Sequence, residues 1–116
     1  MPYGIADQKI MKNEKSKMLS GQLYNAADAE LVKERNYVRT LLFEFNHTSP
    51  DKAEKRKELI QRLIGAKGSF AIEPPFYCDY GYNIEVGDNF YANFGCVILD
   101  VNTVRIGRNA LLAPYV

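Results

Sequence analysis

The polar residues with chemistry to offer are few, and most stand among aromatic residues in the second half of the chain. Asp79, Asn93 and Asp100 bring carboxylate and amide groups, and Tyr91 adds a phenol two residues before Asn93. A carboxylate or a primary amide can hold two neighbouring hydroxyl groups by directional hydrogen bonds. Asp79 and Asn93 would serve equally well as turn and corner residues, since both types bond nearby backbone and tolerate unusual φ. In the first half, Asp28 reads first as a helix N-cap. His47, the one histidine, falls between two predicted helices, where a helix-end role outweighs a catalytic one. Cys78 and Cys96 are too few for a disulfide framework and read as reduced structural thiols.

The stretch that carries these groups has a repeating grammar. Asn83-Ile84-Glu85-Val86-Gly87-Asp88-Asn89 is echoed twenty residues later by Thr103-Val104-Arg105-Ile106-Gly107-Arg108-Asn109. Aliphatic residues lead six-residue units at Val86, Ala92 and Ile98, the phase slips by two, and Ile106 and Leu112 resume it. A second column runs two residues earlier through Ile84, Phe90, Cys96, Val104, Ala110 and Val116. Two columns at one period are what a parallel β-helix requires, because each short strand must feed the same interior stack on every coil. Gly81, Gly87, Gly95 and Gly107, with Asn83, Asn89, Asn93 and Asn109, are the expected corner residues. Glu73-Pro74-Pro75 fixes an extended entry. Asp100 begins the phase slip, where a small outward loop is expected.

Helices must position this stretch. Gln8 to Ser20, with Ile10, Met11, Met18 and Leu19 apolar, is expected to end at Gly21. A longer helix is expected from the Asp28 cap to Asn46, with Leu31, Val38, Leu41, Leu42 and Phe45 on its buried stripe. Ser49-Pro50-Asp51 signals the start of a third, whose stripe of Leu59, Ile60, Leu63 and Ile64 ends at Gly65. Residues 1–68 carry thirteen basic and nine acidic side chains, and residues 69–116 carry two and five, which places a boundary near Lys67-Gly68. The chain is therefore read as α+β: a helical segment over 1–68, then the first coils of a β-helix over 69–116. The clustered aromatics Phe76, Tyr77, Tyr80, Tyr82, Phe90 and Phe94 are expected mainly to pack the helices onto the first coil.

Composition narrows the function. A net charge of +1 advertises no nucleic-acid surface, and no apolar run is long enough for a signal peptide or a membrane span, so the default location is cytoplasmic.

Glu73-Pro74-Pro75-Phe76-Tyr77-Cys78-Asp79-Tyr80-Gly81-Tyr82-Asn83-Ile84, Asn89-Phe90-Tyr91-Ala92-Asn93-Phe94 and Leu99-Asp100 resemble the maltose and galactoside O-acetyltransferase family of hexapeptide-repeat enzymes. Met18-Leu19-Ser20-Gly21-Gln22-Leu23-Tyr24, Ala27-Asp28 and Phe45-Asn46-His47 resemble the family's N-terminal maltose-acetyltransferase segment. The resemblance covers nearly the whole chain. It implies a left-handed parallel β-helix, a homotrimer, and acetyl transfer from acetyl-CoA to a sugar hydroxyl at subunit interfaces. It matches Asp79 and Asn93 to positions that contact the acceptor sugar, places Tyr91 beside them, and leaves Asp100 and Asp28 as further acceptor candidates. Galactoside-type members carry an acidic pair where this chain has Asp100-Val101, and an aspartate that aligns on Ala26. Both departures favour a maltose- or glucose-like acceptor.

In such a reaction a general base takes the hydroxyl proton while donors steady the oxyanion. In relatives that base is a histidine, within a stretch resembling Ile-Tyr-Thr-Ala-x-His-Pro that follows the equivalent of Leu112-Ala113-Pro114-Tyr115-Val116. The chain is thus expected to hold the acceptor side, with no catalytic residue and no assigned acetyl-CoA contact among its 116 residues. The alternative is a non-catalytic chain that binds sugar or assembles with longer copies. A second hexapeptide-repeat class, the γ-type carbonic anhydrases, needs three histidines for its metal, and residues 69–116 contain none. No metal is expected.

Overall fold

The computed structural model of the chain describes residues 13–116. Three helices come first: α1 (Glu14–Leu19), α2 (Ala29–Asn46) and α3 (Ala53–Leu63). Asn13 caps α1 by accepting the Ser16 N–H at 2.8 Å, and Gly21, at φ 79°, ends it. The earlier part of the expected first helix, with Ile10 and Met11, lies outside the described residues. Asp28 caps α2 as expected, its Oδ2 accepting the N–H groups of Glu30 and Leu31 at 3.1 and 3.3 Å. Leu31, Val38, Leu41, Leu42 and Phe45 form its buried stripe.

The third helix departs from expectation at both ends. It begins at Ala53, three residues after Pro50, and its N-cap Lys52 makes no side-chain capping bond. The Ser49 hydroxyl donates to the Asp51 carboxylate, and Lys52 N–H bonds the Ser49 carbonyl at 3.0 Å. Ser49–Lys52 therefore closes a turn of its own, and the capping side chain is spent inside it. At the other end Ile64 is already extended, and Gly65 opens a strand instead of stopping a helix.

Eight short strands follow: β1 (Gly65–Ala66), β2 (Phe70–Ile72), β3 (Phe76–Cys78), β4 (Ile84–Val86), β5 (Phe90–Ala92), β6 (Cys96–Ile98), β7 (Val104–Ile106) and β8 (Leu111–Leu112). They stack into three parallel walls, β1-β4-β7, β2-β5-β8 and β3-β6. Ala66 faces Val86, Phe70 faces Phe90, Phe76 faces Cys96, Ile84 faces Val104 and Tyr91 faces Leu111, so every coil is twenty residues long. Because β1 pairs with β4, the first coil begins before Gly68, and the expected boundary falls inside it.

The two-residue slip recurs in each coil. It separates β3 from β4 as well as β6 from β7, always at the corner between the third wall and the first. The other corners are tighter. Gly81 in the long corner, and Gly95, Asn89 and Asn109 in the tighter ones, adopt positive φ as expected, whereas Gly87, Gly107, Asn83 and Asn93 do not. Asn83 instead turns inward, and Asn93 uses its side chain on the next N–H.

Inside the walls, Ile72, Phe76, Ile84, Val86, Phe90, Ala92 and Cys96 share one core with Leu41, Phe45, Ile60 and Leu63 of the helices. The aromatic cluster divides. Phe76 and Phe90 fill the core, Tyr80 and Tyr82 dock the helices, and Tyr77 and Phe94 remain exposed. Asn46, the last residue of α2, completes the docking. Its Oδ1 accepts the Phe76 N–H at 2.9 Å and its Nδ2 donates to the Phe76 carbonyl at 3.1 Å, which closes the free edge of β3 as another strand would. Asn46→Ala orphans both backbone groups and is expected to cost about 1–3 kcal/mol in urea unfolding.

Candidate functional site

A cleft of about 360 Å³ runs between α2 and the outer side of β3. Asp79 enters it from the end of β3, and Arg35 and Arg39 enter from α2. Tyr77, Phe43 and Leu99, all exposed, supply apolar walls. The cleft thus combines a carboxylate and two guanidinium groups with apolar walls, the makeup of a site for a small polar ligand with carbon-bound faces. Arg35 is already held, donating to the Tyr80 hydroxyl at 2.6 Å and to the Ala26 carbonyl at 2.7 Å. The ion pairs among the described residues involve neither Asp79 nor Arg39.

A roomier cleft of about 500 Å³ opens on another side of α2, beside Lys15, Tyr37, Arg62 and Tyr82. Much of its polar lining is already paired. Lys15 bridges Glu34 at 2.8 Å, Tyr82 donates to Glu34 at 2.7 Å, and Arg62 reaches the Tyr37 hydroxyl at 3.4 Å. That cleft serves mainly to fasten α1 and α2 to the first corner.

The structure divides the residues singled out in the sequence. Asp79 lines the first cleft. Tyr91 and Asn93 occupy the next wall and its corner, two residues apart, both half-buried. The Tyr91 hydroxyl donates to Glu73 at 3.0 Å, and burial together with the Glu73 carboxylate holds this phenol above its ordinary pKa. Asn93 accepts the Phe94 N–H at 2.8 Å. Asp28 is spent on capping α2.

Asp100 corrects its expectation. Val101, Asn102 and Thr103 do project outward, but Asp100 itself is fully buried. Its Oδ1 accepts the N–H groups of Asp79 and Tyr80 at 3.1 and 2.9 Å, and its Oδ2 accepts that of Asn83 at 3.2 Å. Burial pushes its carboxyl above the usual range, while the backbone donors pull the other way.

His47 ends α2, with Nδ1 2.7 Å from the Phe43 carbonyl and its ring stacked on Phe43 at 4.2 Å. Cys78 and Cys96 are free and buried. Burial, reinforced by Asp100 and then Asp79, pushes the Cys78 thiol up, away from nucleophilic character.

Arg35 and Arg39 join the site only through the fold. They stand four residues apart on a helix, which puts both on one face together with Phe43 and Asn46. That spacing was the available signal.

Three walls of short parallel strands wound at a repeating interval, capped by helices, define a hexapeptide-repeat protein. Residues 17–68 match the maltose acetyltransferase hexapeptide capping motif. Galactoside O-acetyltransferase of Escherichia coli is 45% identical over 98 residues, which cover 84% of this chain and 48% of that protein. The crystal structure of a maltose O-acetyltransferase from Clostridium difficile superposes with a TM-score of 0.87 at 49% identity, over 89% of this chain and 56% of that one. A galactoside acetyltransferase in complex with coenzyme A superposes with a TM-score of 0.79 at 40% identity, over 89% of this chain and 52% of that one.

The chain belongs to the maltose and galactoside O-acetyltransferase family, and its coils are the start of a left-handed parallel β-helix. It spans about half the length of the curated relatives it matches. Among the described residues, no helix is long and apolar enough to cross a membrane.

Proposed function

We propose that these residues form the acceptor side of an acetyltransferase that moves an acetyl group from acetyl-CoA to a hydroxyl of maltose, glucose or a similar sugar. The observation that carries this reading is the cleft in which the Asp79 carboxylate stands beside Arg39 and the Tyr80-anchored Arg35 against apolar walls. Asp79 accepts from sugar hydroxyls, the guanidinium groups donate to them, and Tyr77 and Phe43 cover the carbon-bound face of the ring. The family membership supports the reaction, and a relative solved with coenzyme A supports acetyl-CoA as the donor substrate.

In this reading none of the residues described above is assigned to acetyl-CoA, and His47, committed to the end of α2, is not the base that takes the hydroxyl proton. In this reading the chain assembles as a cytoplasmic homotrimer, and the outer walls support the association. Tyr77 and Val97 leave one wall apolar, and Leu111 does the same for the next, whereas the remaining wall carries a Glu85–Arg105 ion pair at 2.7 Å. Tyr91 and Asn93, on the second of these walls, would meet the acceptor from a neighbouring copy.

Titration of the protein with maltose, glucose and a galactoside, followed by calorimetry or amide chemical shifts, tests the acceptor site. Asp79→Ala is expected to weaken binding about 10- to 100-fold, the loss that accompanies hydrogen bonds to a charged group. Unchanged affinity in that variant would remove Asp79 from the site.

A further inference from the structure

We propose that Asp100 is a positioning residue for the cleft: its carboxylate gathers the backbone N–H groups of Asp79, Tyr80 and Asn83 and thereby fixes the corner that presents Asp79 to the ligand and, through Tyr80, anchors Arg35. The inference rests on the acceptor reading of that cleft.

The argument begins with coil length. Each coil is twenty residues long because the corner between the third and first walls carries two extra residues. Extra residues leave the ladder, so their N–H groups lose the strand partners that the other corners keep close by. A buried N–H without an acceptor costs about 1–3 kcal/mol, so such a corner has no preferred shape unless something collects its donors. An ionised carboxylate is the side chain for this, since it accepts on two oxygens and donates nothing.

Asp100 lies one coil on from Tyr80 and is fully buried directly beneath the corner. It takes three N–H groups of the coil before it, at 2.9–3.2 Å. The Asn83 amide then donates to the Asp100 carbonyl at 2.9 Å, which ties the end of the corner to the same residue.

The consequence reaches the cleft by two short paths. Asp79 is held through its own N–H. Tyr80 is held through its N–H too, and its hydroxyl accepts the Arg35 guanidinium at 2.6 Å. One buried carboxylate therefore sets both the acidic and one of the basic groups that face the ligand. A buried charge is weak evidence for stability, since an apolar residue of similar size often serves as well. A role in geometry explains why a carboxylate stands here.

The test uses Asp100→Asn, which keeps the shape but turns an amide N–H₂ toward at least one of the three donors. Amide hydrogen exchange at Asp79, Tyr80 and Asn83 is expected to accelerate about 10- to 100-fold while the amides of α2 keep their protection. Affinity for maltose or glucose is expected to fall about tenfold in the wild-type background and clearly less, about two- to threefold, in an Asp79→Ala background, where only the path through Tyr80 and Arg35 remains. Unchanged exchange at the three amides overturns the proposal, and so does an equal loss of affinity in both backgrounds, which would mark a general effect on stability. If Asp100→Asn does not fold, Asn83→Ala removes the tie to the Asp100 carbonyl, and unchanged protection of Asp79 and Tyr80 in that variant counts against the proposal in the same way. A wild-type protein that binds none of the sugars would refute the acceptor reading and the ligand half of this inference, whereas the exchange rates would still decide whether Asp100 sets the corner.

Discussion

Gly81→Ala is expected to destabilise the fold by more than about 3 kcal/mol, well beyond the effect of the same change at Gly95. Both glycines have left-handed backbone, at φ 81° and 79°, so both substitutions carry the cost of about 1–2 kcal/mol that an L side chain meets there. What differs is the neighbour. A Cβ at residue 81 would stand 2.4 Å from the carbonyl oxygen of Leu63, which is backbone at the junction of α3 and the first coil. At residue 95 the nearest atom, at 2.5 Å, belongs to the Tyr115 ring, a side chain 84% exposed and free to swing away. Gly81 also lies inside the corner that Asp100 organises, so its replacement should weaken sugar binding as well as the fold. Urea unfolding of the two variants side by side measures the difference. Equal losses would mean that the junction between helix and coil yields as easily as an exposed ring.

The contrast between these corners also marks what the sequence could convey. The interior columns were legible because burial on every coil imposes a strict spacing, and Val86, Ala92, Ile98, Ile106 and Leu112 keep it whatever their neighbours do. The Asp28 cap and the stripe of α2 were legible for the same reason: both depend on residues three or four positions apart. What escaped depends on residues far apart in sequence. Asp100 looked like an outward loop residue because its partners, Asp79, Tyr80 and Asn83, lie a full coil earlier. The start of α3 was misplaced because Ser49 and Asp51 bond each other, a competition between two capping types that no spacing rule resolves. Beyond their shared helix face, Arg35 and Arg39 carry no signal of a site in the sequence, because the β3 residues that share their cleft lie about forty positions away. The split of Asp79 from Tyr91 and Asn93 onto different walls was likewise invisible until the coils were closed.

Adjacent residues of β3 should behave as opposites. Phe76 is fully buried, faces Cys96 across the wall, and has its backbone clasped by Asn46. Phe76→Ala is expected to cost about 3–5 kcal/mol, the range for removing a buried aromatic from a core that cannot close around the gap. Native domains have only about 5–15 kcal/mol in total, so this single change should bring the chain close to unfolding. Tyr77 points the other way and is 51% exposed in the single chain, so in dilute solution, where copies do not associate, Tyr77→Ala should alter stability by less than about 1 kcal/mol. Its effect should appear in the cleft, where loss of the ring removes an apolar wall and weakens sugar binding. Denaturation curves and sugar titrations on the two variants separate the roles. A large stability loss for Tyr77→Ala would show that its wall is covered in solution. If a second copy of the chain does the covering, as in the proposed trimer, that loss must grow as the protein is concentrated, because association stabilises by mass action. A loss independent of concentration would place the cover within the chain itself and would remove this wall from the subunit interface.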